Sequence, residues 1–465
     1  MGAMNWSKLM SSKRTLGVRL SGGREHKSEV RSPYTKDFDK IIYSSAFRRL
    51  KDKTQVHIFP NSDYFRTRLT HSLEVSTVGR SLGVAVARKL SEINEIDSKK
   101  FEREDFGAVV AAACLAHDLG NPPFGHAGEE AIRHWFSSDN EKGKLSILYT
   151  LNDDNKNDLV KFEGNAQGFR LLTRQQSWRN EGGLRLTCAT LGAFQKYPKG
   201  SMQYLGGTAI RGNNKFGYFQ ADRETFEMVA EELGLLPKID CKGEWCRHPL
   251  AYLVEAADDI CNRIADLEDG YKYGKIEYDE IEGILTRIAH TGWSSRLSPP
   301  NLERHEKGDV ISYLRAKAIG ALIKQTVEAF KRNLQEIMTG TFNGNLMKKI
   351  DSSSDIKTMM DWCRIRLFKD RDVLQAELAG FEVIHRLLEI FTTALREKEH
   401  VEEIGSEMAP RNQKIVELLE QSTQLRDERY DWLICATDYI SGMTDRYAVD
   451  LYRRLSGITV GLPHH

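Results

Sequence analysis

The sequence predicts an all-α fold, one large helical body interrupted by an irregular insertion that has room for a small hairpin. Three observations carry that expectation. Apolar residues recur at helical steps through most of the chain. From about 280 to 450 that periodicity continues with few strand-like runs. Between about 138 and 248 the pattern breaks into polar, glycine-rich segments such as NDDNKND, RNEGG and GGTAIRGNNKFG, which read as turns and long loops.

The elements follow in order. Leu69, Leu73, Val78, Leu82, Val86 and Leu90 recur at steps of three to five residues and mark one helix face. Residues 106–116 form an apolar, alanine-rich helix that Gly120, Pro122 and Pro123 bring to a stop. A helix over 248–270 has Pro249 in its first turn and Gly270 to close it. Residues 313–333, 372–397 and 412–422 are further helices. No repeat, low-complexity tract or clean linker divides the chain.

Composition narrows the function. With 465 residues, 40% of them apolar and 29% charged, the chain can bury a sizeable core and is not a disordered polymer. Lys plus Arg (67) nearly balance Asp plus Glu (66), which excludes a polycation built to coat nucleic acid. The balance is uneven, because residues 1–53 hold 13 basic against 5 acidic side chains. That excess reads either as a phosphate-facing surface or as a solvated basic arm. No run approaches the roughly 18 apolar residues of a membrane-spanning helix, and the opening MGAMNWSKLM has no apolar signal core. Seven cysteines in a chain this long make no disulfide framework. The expectation is a cytoplasmic protein with reduced thiols and no membrane partner.

Three segments could carry chemistry. In ACLAHDLGNPPFGHAGEEAIR, His117 and Asp118 end a buried helix, where a charged pair is costly without a partner. A rigid Pro-Pro turn follows, and then a second helix with His126, Glu129 and Glu130. On the 248–270 helix, Leu253, Ala257, Ile260, Ile264 and Leu267 make the apolar face. Glu255, Asp258, Asp259, Asn262 and Asp266 line the other, which is either a solvated acidic face or a seat for a cation or polar substrate. In RTRLTHS, Arg68 and His71 share a helix face. One His, one His-Asp pair and one distant Asp form the donor set of a divalent-metal site suited to Mn, Fe, Co, Ni or Zn. Cys241, Cys246 and His248 offer only three local ligands at an unrecognised spacing and read as buried or loop thiols. No glycine-rich run matches a P-loop, so there is no case for an ATPase.

RTRLTHS, HDLGNPPFGHAGEEA and EAADDI together resemble the HD-domain metal phosphohydrolases, and among them the bacterial deoxyguanosinetriphosphate triphosphohydrolases. RRLKDKTQV (48–56), ATLGAFQKYP (189–198), KFGYFQ (215–220) and DYISGMTDRYA (438–448) agree, so the resemblance spans about 31–455. It implies an HD-type domain over 31–455 behind a basic N-terminal arm (1–30). The metal site would lie on helices around 66–130 and 249–270, with the loop-rich insertion at about 138–248 and a C-terminal helical part at about 280–455.

The resemblance also implies a reaction, dNTP plus water giving deoxynucleoside and inorganic tripolyphosphate, with dGTP preferred. It assigns metal ligation to His71, His117, Asp118 and Asp258, with Mn²⁺ or Mg²⁺ foremost and Fe, Co, Ni or Zn also open. His126 and Glu129 become the catalytic pair, although a helix-capping His126 and a surface Glu129 stay open on the residues alone. Substrate contacts fall to Gln55, Arg68, Lys196, Tyr197, Lys215, Asp266 and Arg446. Asn262 is a departure, standing where many relatives have Tyr beside the sugar. Relatives form homo-oligomers, often hexamers, and some respond to nucleotides or single-stranded DNA at a second site. Two rivals stand beside this expectation. One is an HD phosphohydrolase of other nucleotides or nucleic-acid ends; the other is a nucleic-acid-binding regulatory protein with a vestigial site.

Overall fold

The computed structural model describes residues 2–17, 19–21, 30–55, 66–137, 151–176, 182–205, 208–210, 215–238, 241, 243–292, 306–367, 371–422 and 429–459. It is a helical protein with two short antiparallel hairpins among the described residues. The first half runs α1 (Trp6–Leu9), β1 (Arg14–Leu16), β2 (Arg19–Ser21), α2 (Pro33–Ile42), α3 (Ser45–Arg49), α4 (Arg68–Glu92), α5 (Arg103–Ala116) and α6 (Gly125–Ser137). Next come α7 (Asp153–Val160), α8 (Gly164–Arg170), α9 (Cys188–Phe194), β3 (Gln203–Leu205), β4 (Thr208–Ile210) and α10 (Arg223–Leu233). The remainder is α11 (Ala251–Lys272), α12 (Tyr278–Gly292), α13 (Lys307–Arg332), α14 (Leu334–Met338), α15 (Ser353–Arg366), α16 (Arg371–Ile404), α17 (Pro410–Ser422), α18 (Arg429–Ser441) and α19 (Asp445–Leu455). None of these helices is long and apolar enough to cross a membrane.

Burial divides into two apolar cores. The first joins α4, α5, α11, α12 and α13 through Val75, Leu82, Val109, Leu253, Ile260, Ile284 and Leu322. The second joins α6, α7, α16, α18 and α19 through Ile132, Trp135, Leu159, Ile384, Phe391, Leu433 and Ala448. Within the first, α4 and α5 run antiparallel at close range. A Cβ on Gly83 would come within 2.7 Å of the Phe106 carbonyl oxygen, and the Ser76 hydroxyl donates to the Ala111 carbonyl at 3.0 Å. That register brings His71 opposite His117.

Several details depart from the sequence reading. Leu73, counted on the apolar face of α4, is 39% exposed, while His71 and Val75 turn inward. The helix must present one face to both α5 and α11, and that face lies to one side of the leucine row. Gly270 does not end α11, which continues to Lys272; a Cβ at 270 would meet Ile276 at 2.6 Å, so this glycine serves packing. The start of the expected N-terminal arm is packed, with Met4, Trp6, Leu9 and Met10 all in the first core. Arg14 pairs with the fully buried Asp37 at 2.5 Å. Residues 22–29 of that arm lie outside the described residues, as do 138–150, 206–207 and 211–214 of the insertion. The insertion holds the expected hairpin, Gln203 pairing with Ile210, and also helices α7 to α10 that bury Phe169, Phe194 and Phe226.

A buried ionic joint ties that insertion to the C-terminal helices. Arg170 donates from Nε to both Asp438 oxygens at 2.9 and 3.0 Å and lies 3.3 Å from Asp222. Gln167 adds a 2.8 Å bond to Asp438. Removing one partner of such a group strands a buried charge at about 3–5 kcal/mol. Arg170→Leu is therefore expected to lower unfolding stability by about that amount in urea titration, and a shift below about 1 kcal/mol would contradict the role given to this joint.

Candidate active site

The site begins with how α4 starts. Thr67 caps the helix by accepting from the Thr70 N–H, and Thr70 returns a bond to the Thr67 N–H. This sets Arg68 in the first turn and His71 one turn on. Arg66, just outside, donates to Asp269 at 2.6 Å and to Glu268, fastening the start of α4 onto α11. His71 therefore faces Asp258, with Nε2 3.1 Å from Oδ1.

His117 ends α5. Its Nδ1–H donates to the Cys114 carbonyl at 2.7 Å, leaving Nε2 turned toward Asp258 Oδ1 (3.4 Å) and Asp118 Oδ1 (3.5 Å). A ring nitrogen fixed by a backbone acceptor, with the other facing acids, is how metal-ligating histidines are oriented. His71, His117 and Asp258 each offer a ligand atom within 4.8 Å of the others, and they are the group of this kind among the described residues. Burial works against charge on His117, yet Asp118 and Asp258 outweigh it and push its pKa up to about 9. Burial likewise opposes the Asp258 charge, and His117 and His71 hold its carboxyl well below the usual range. The cluster stabilises positive charge between its imidazoles and carboxylates, and that donor set fits a divalent cation.

Asp118 stands at the edge of this group. Its Oδ2 is 2.9 Å from Arg68 and its Oδ1 accepts from the Asn121 side chain at 2.5 Å. Burial favours the neutral acid, but Arg68 and the two histidines keep it ionised. Arg68 is itself buried, and its Nε–H has no acceptor among the described residues.

From Asp118 the chain crosses to the second core through an unusual turn. Phe124 (φ 62°) and Gly125 (φ 57°) are both left-handed, a conformation costing a non-glycine residue about 1–3 kcal/mol. Phe124 seats its ring on Gly380 of α16, where a Cβ would approach within 2.4 Å. At Gly125 a Cβ would reach the Arg68 guanidinium at 2.5 Å, so the glycine lets the cation lie beneath the turn. The turn delivers His126 to the first turn of α6 with its side chain 88% exposed. Its Nδ1 is 3.3 Å from Glu129 Oε2. Glu129 is buried and also accepts from the Gly164 N–H at 2.9 Å. Burial opposes its ionisation, while His126, Lys215 and Arg133 hold its pKa down. The carboxylate thus orients the ring and leaves Nε2 facing outward.

The remaining expected residues divide. Gln55 donates to the Asn262 carbonyl oxygen at 3.3 Å, and Asn262 donates to Asp258 Oδ1 at 2.7 Å, so both adjoin the cluster. Asp266 lies two turns beyond Asp258; burial pushes its carboxyl up to about 7, with Arg263 at 4.0 Å pulling the other way. Lys196 is 3.4 Å from Glu255, one turn before Asp258, and lies over the Tyr197 ring. Lys215 is 2.9 Å from Glu163 and 3.9 Å from Glu129. Arg446 is 87% exposed and lies 3.8 Å from Asp450, with no contact to the cluster. The Cys241–His248 stretch makes no metal site: His248 is buried between the Leu9 carbonyl and the Leu250 N–H, and the Cys246 thiol points to the Gly340 carbonyl.

Sequence reasoning missed Lys53, Asn121, Glu163 and Arg247. Arg247 donates to Glu255 at 2.9 Å and, like Lys196, lies over the Tyr197 ring. Asn121 was inside the quoted motif, and its place three residues after Asp118 was the available signal. Lys53 likewise lay inside a quoted motif, RRLKDKTQV, while Glu163 and Arg247 had no such signal.

The HD domain family model matches residues 68–160, and the phosphohydrolase-associated domain model matches residues 353–454. A deoxyguanosinetriphosphate triphosphohydrolase-like protein of a Synechocystis species is 40% identical over 98% of this chain and 100% of its own length. A like-named Pseudomonas aeruginosa protein is 37% identical over 98% of this chain and 99% of its own. The deoxyguanosinetriphosphate triphosphohydrolase of Yersinia enterocolitica is 30% identical with the same coverage.

If the cluster holds the cation, Asp258→Ala dialysed against Mn²⁺ should retain under about a tenth of the wild-type metal by atomic emission, with an unchanged helical circular dichroism spectrum. Full metal content in that variant would place the cation elsewhere.

Proposed function

Because this chain belongs to the deoxyguanosinetriphosphate triphosphohydrolase family of HD-domain proteins, we propose that it hydrolyses a dNTP, with dGTP preferred, to the deoxynucleoside and inorganic tripolyphosphate. The observation that carries this reading is the juxtaposition of two parts. One is the His71–His117–Asp258 cluster with Arg68 and Asp118 at its edge; the other is the Glu129-oriented His126, delivered by a turn only seven residues long.

A divalent cation, Mn²⁺ or Mg²⁺, supplies Lewis-acid polarisation of the phosphoryl group and lowers the pKa of a water. His71, His117, Asp118 and Asp258 would hold it. In the reaction, water oxygen bonds to the α-phosphorus and the bond from that phosphorus to the 5′ oxygen breaks. The departing 5′ oxygen needs a proton, and His126 Nε2 is the group placed to give one. Glu129 keeps that ring aimed through its Nδ1. Arg68 offers planar donors to phosphate oxygens. Lys196 and Lys215 stand near with the same charge, each partly exposed and each now on a carboxylate that a triphosphate would displace. Tyr197 braces Lys196 through its ring. Gln55 would face the base, while Asp266, near its titration point at neutral pH, would bind the 3′-hydroxyl. Asn262, held by Gln55 and Asp258, would line the sugar. Arg446 would serve a site only by reaching into a neighbouring copy in a homo-oligomer.

The test is product analysis of metal-stripped protein with each dNTP, with and without Mn²⁺ or Mg²⁺, by phosphorus NMR. Tripolyphosphate is expected only with metal and fastest from dGTP; pyrophosphate or orthophosphate would overturn the reading. His126→Ala should lower kcat by about 10²–10⁴-fold with metal content unchanged, and a fully active variant would remove His126 from the chemistry.

A further inference from the structure

The catalytic turn is gripped from the C-terminal end of the chain. Asp445, the first residue of α19, is buried and uses both carboxylate oxygens. Oδ2 accepts from the Thr54 N–H at 3.0 Å and the Thr54 hydroxyl at 2.7 Å; Oδ1 accepts from the Phe124 N–H at 3.0 Å. Beside it Lys53, also buried, donates from Nζ to the Asn121 carbonyl at 2.6 Å and the Ser441 carbonyl at 2.7 Å. Three distant stretches, 53–54, 121–124 and 441–445, meet at one buried polar node.

Each stretch leads to a site residue. Asn121 donates to Asp118, and the Lys53 carbonyl accepts from the Arg68 N–H at 3.1 Å. Thr54 immediately precedes Gln55. Phe124 is the first of the two left-handed residues that aim His126. A strained turn keeps its shape only where its surroundings over-determine it, and the bond from the Phe124 N–H to Asp445 is the restraint at that residue. The node also lies between the core carrying His71, His117 and Asp258 and the core carrying α6.

We propose that Asp445, together with Lys53, is a positioning residue that fixes the His126 turn relative to the metal-ligand cluster, so that the segment from Ser441 to Asp445 sets the rate of the chemical step. This rests on the reading of the site as a triphosphohydrolase. The node touches no reacting atom; it acts through the turn. A misplacement of about 1 Å at a catalytic group costs on the order of 10²-fold in rate.

The test compares Asp445→Ala, Asp445→Asn and Lys53→Met with the wild-type full chain loaded with Mn²⁺. Asp445→Ala should lower kcat for dGTP by about 10²-fold with KM changed less than about threefold and bound metal unchanged. Asp445→Asn, which keeps one acceptor oxygen, should recover about tenfold of that loss. Amide exchange should accelerate in peptides covering Thr54 and Phe124 and stay unchanged in α5 and α11. Lys53→Met reaches the same turn from the other side and should show the same split, which guards against a misfolded Asp445 variant. Values of kcat within threefold of wild type for both Asp445→Ala and Lys53→Met would overturn the proposal, as would a loss that tracks lost metal and exchange throughout the chain. A wild-type protein without triphosphohydrolase turnover would sink the functional reading alone. In that case exchange at Thr54 and Phe124 still decides the node, and unchanged protection there overturns it.

Discussion

The structure depends on one short crossing. Between Asp118 and His126 the chain leaves one apolar core and enters another, and everything the site can do follows from holding that crossing still. On one side, α4, α5 and α11 pack closely enough to bury two imidazoles and two carboxylates against one another. On the other, α6 is anchored by Ile132, Trp135 and Phe136 in a core built with α16 and α18. In the proposed reaction, a histidine acting on a phosphate held by the first group has to be aimed from the second. The Pro-Pro-Phe-Gly turn makes that connection with two left-handed residues in succession.

Electrostatics shapes the same place. Three of the four cations expected to meet the triphosphate are held close to a carboxylate: Arg68 by Asp118, Lys196 by Glu255, Lys215 by Glu163. Such pairing lets the side chains be partly buried while aimed at the site, since an unpaired buried charge is costly. It also means that an entering polyphosphate exchanges partners with ions already in position. Asn262 fits this pattern. Its amide joins Gln55 to a metal-facing carboxylate, a polar link that a phenol ring at the same position would replace with packing.

Much of this was legible in the sequence because helices and local motifs advertise themselves. The long helices appear as periodicity, and the His117–Glu129 stretch carries its turn residues and both histidines within 13 positions. Contacts between distant segments were not legible. Nothing in the sequence pairs Thr54 with Asp445, or Arg170 with Asp438 and Asp222, because hydrogen bonds across hundreds of residues leave no periodic trace. Polarity misled in two places. The basic N-terminal residues hide Trp6 and Leu9, which pack into the first core, and the glycine-rich insertion holds, among the described residues, four helices with buried phenylalanines. Arg446 lies in a motif that the sequence singles out, and its exposed side chain stands 3.8 Å from Asp450.

The most direct test of the central claim, that the two cores bring a metal cluster and a proton donor to one phosphate, is a crystal structure with Mn²⁺ and a non-hydrolysable dGTP analogue, the metal located by anomalous scattering. The account predicts Mn²⁺ at about 2.1 Å from His71 Nε2, His117 Nε2 and an Asp258 oxygen, with the α-phosphate on the metal and His126 Nε2 within hydrogen-bond reach of the 5′ position. A metal bound away from that cluster, or an analogue whose α-phosphate lies out of reach of His126, would contradict it.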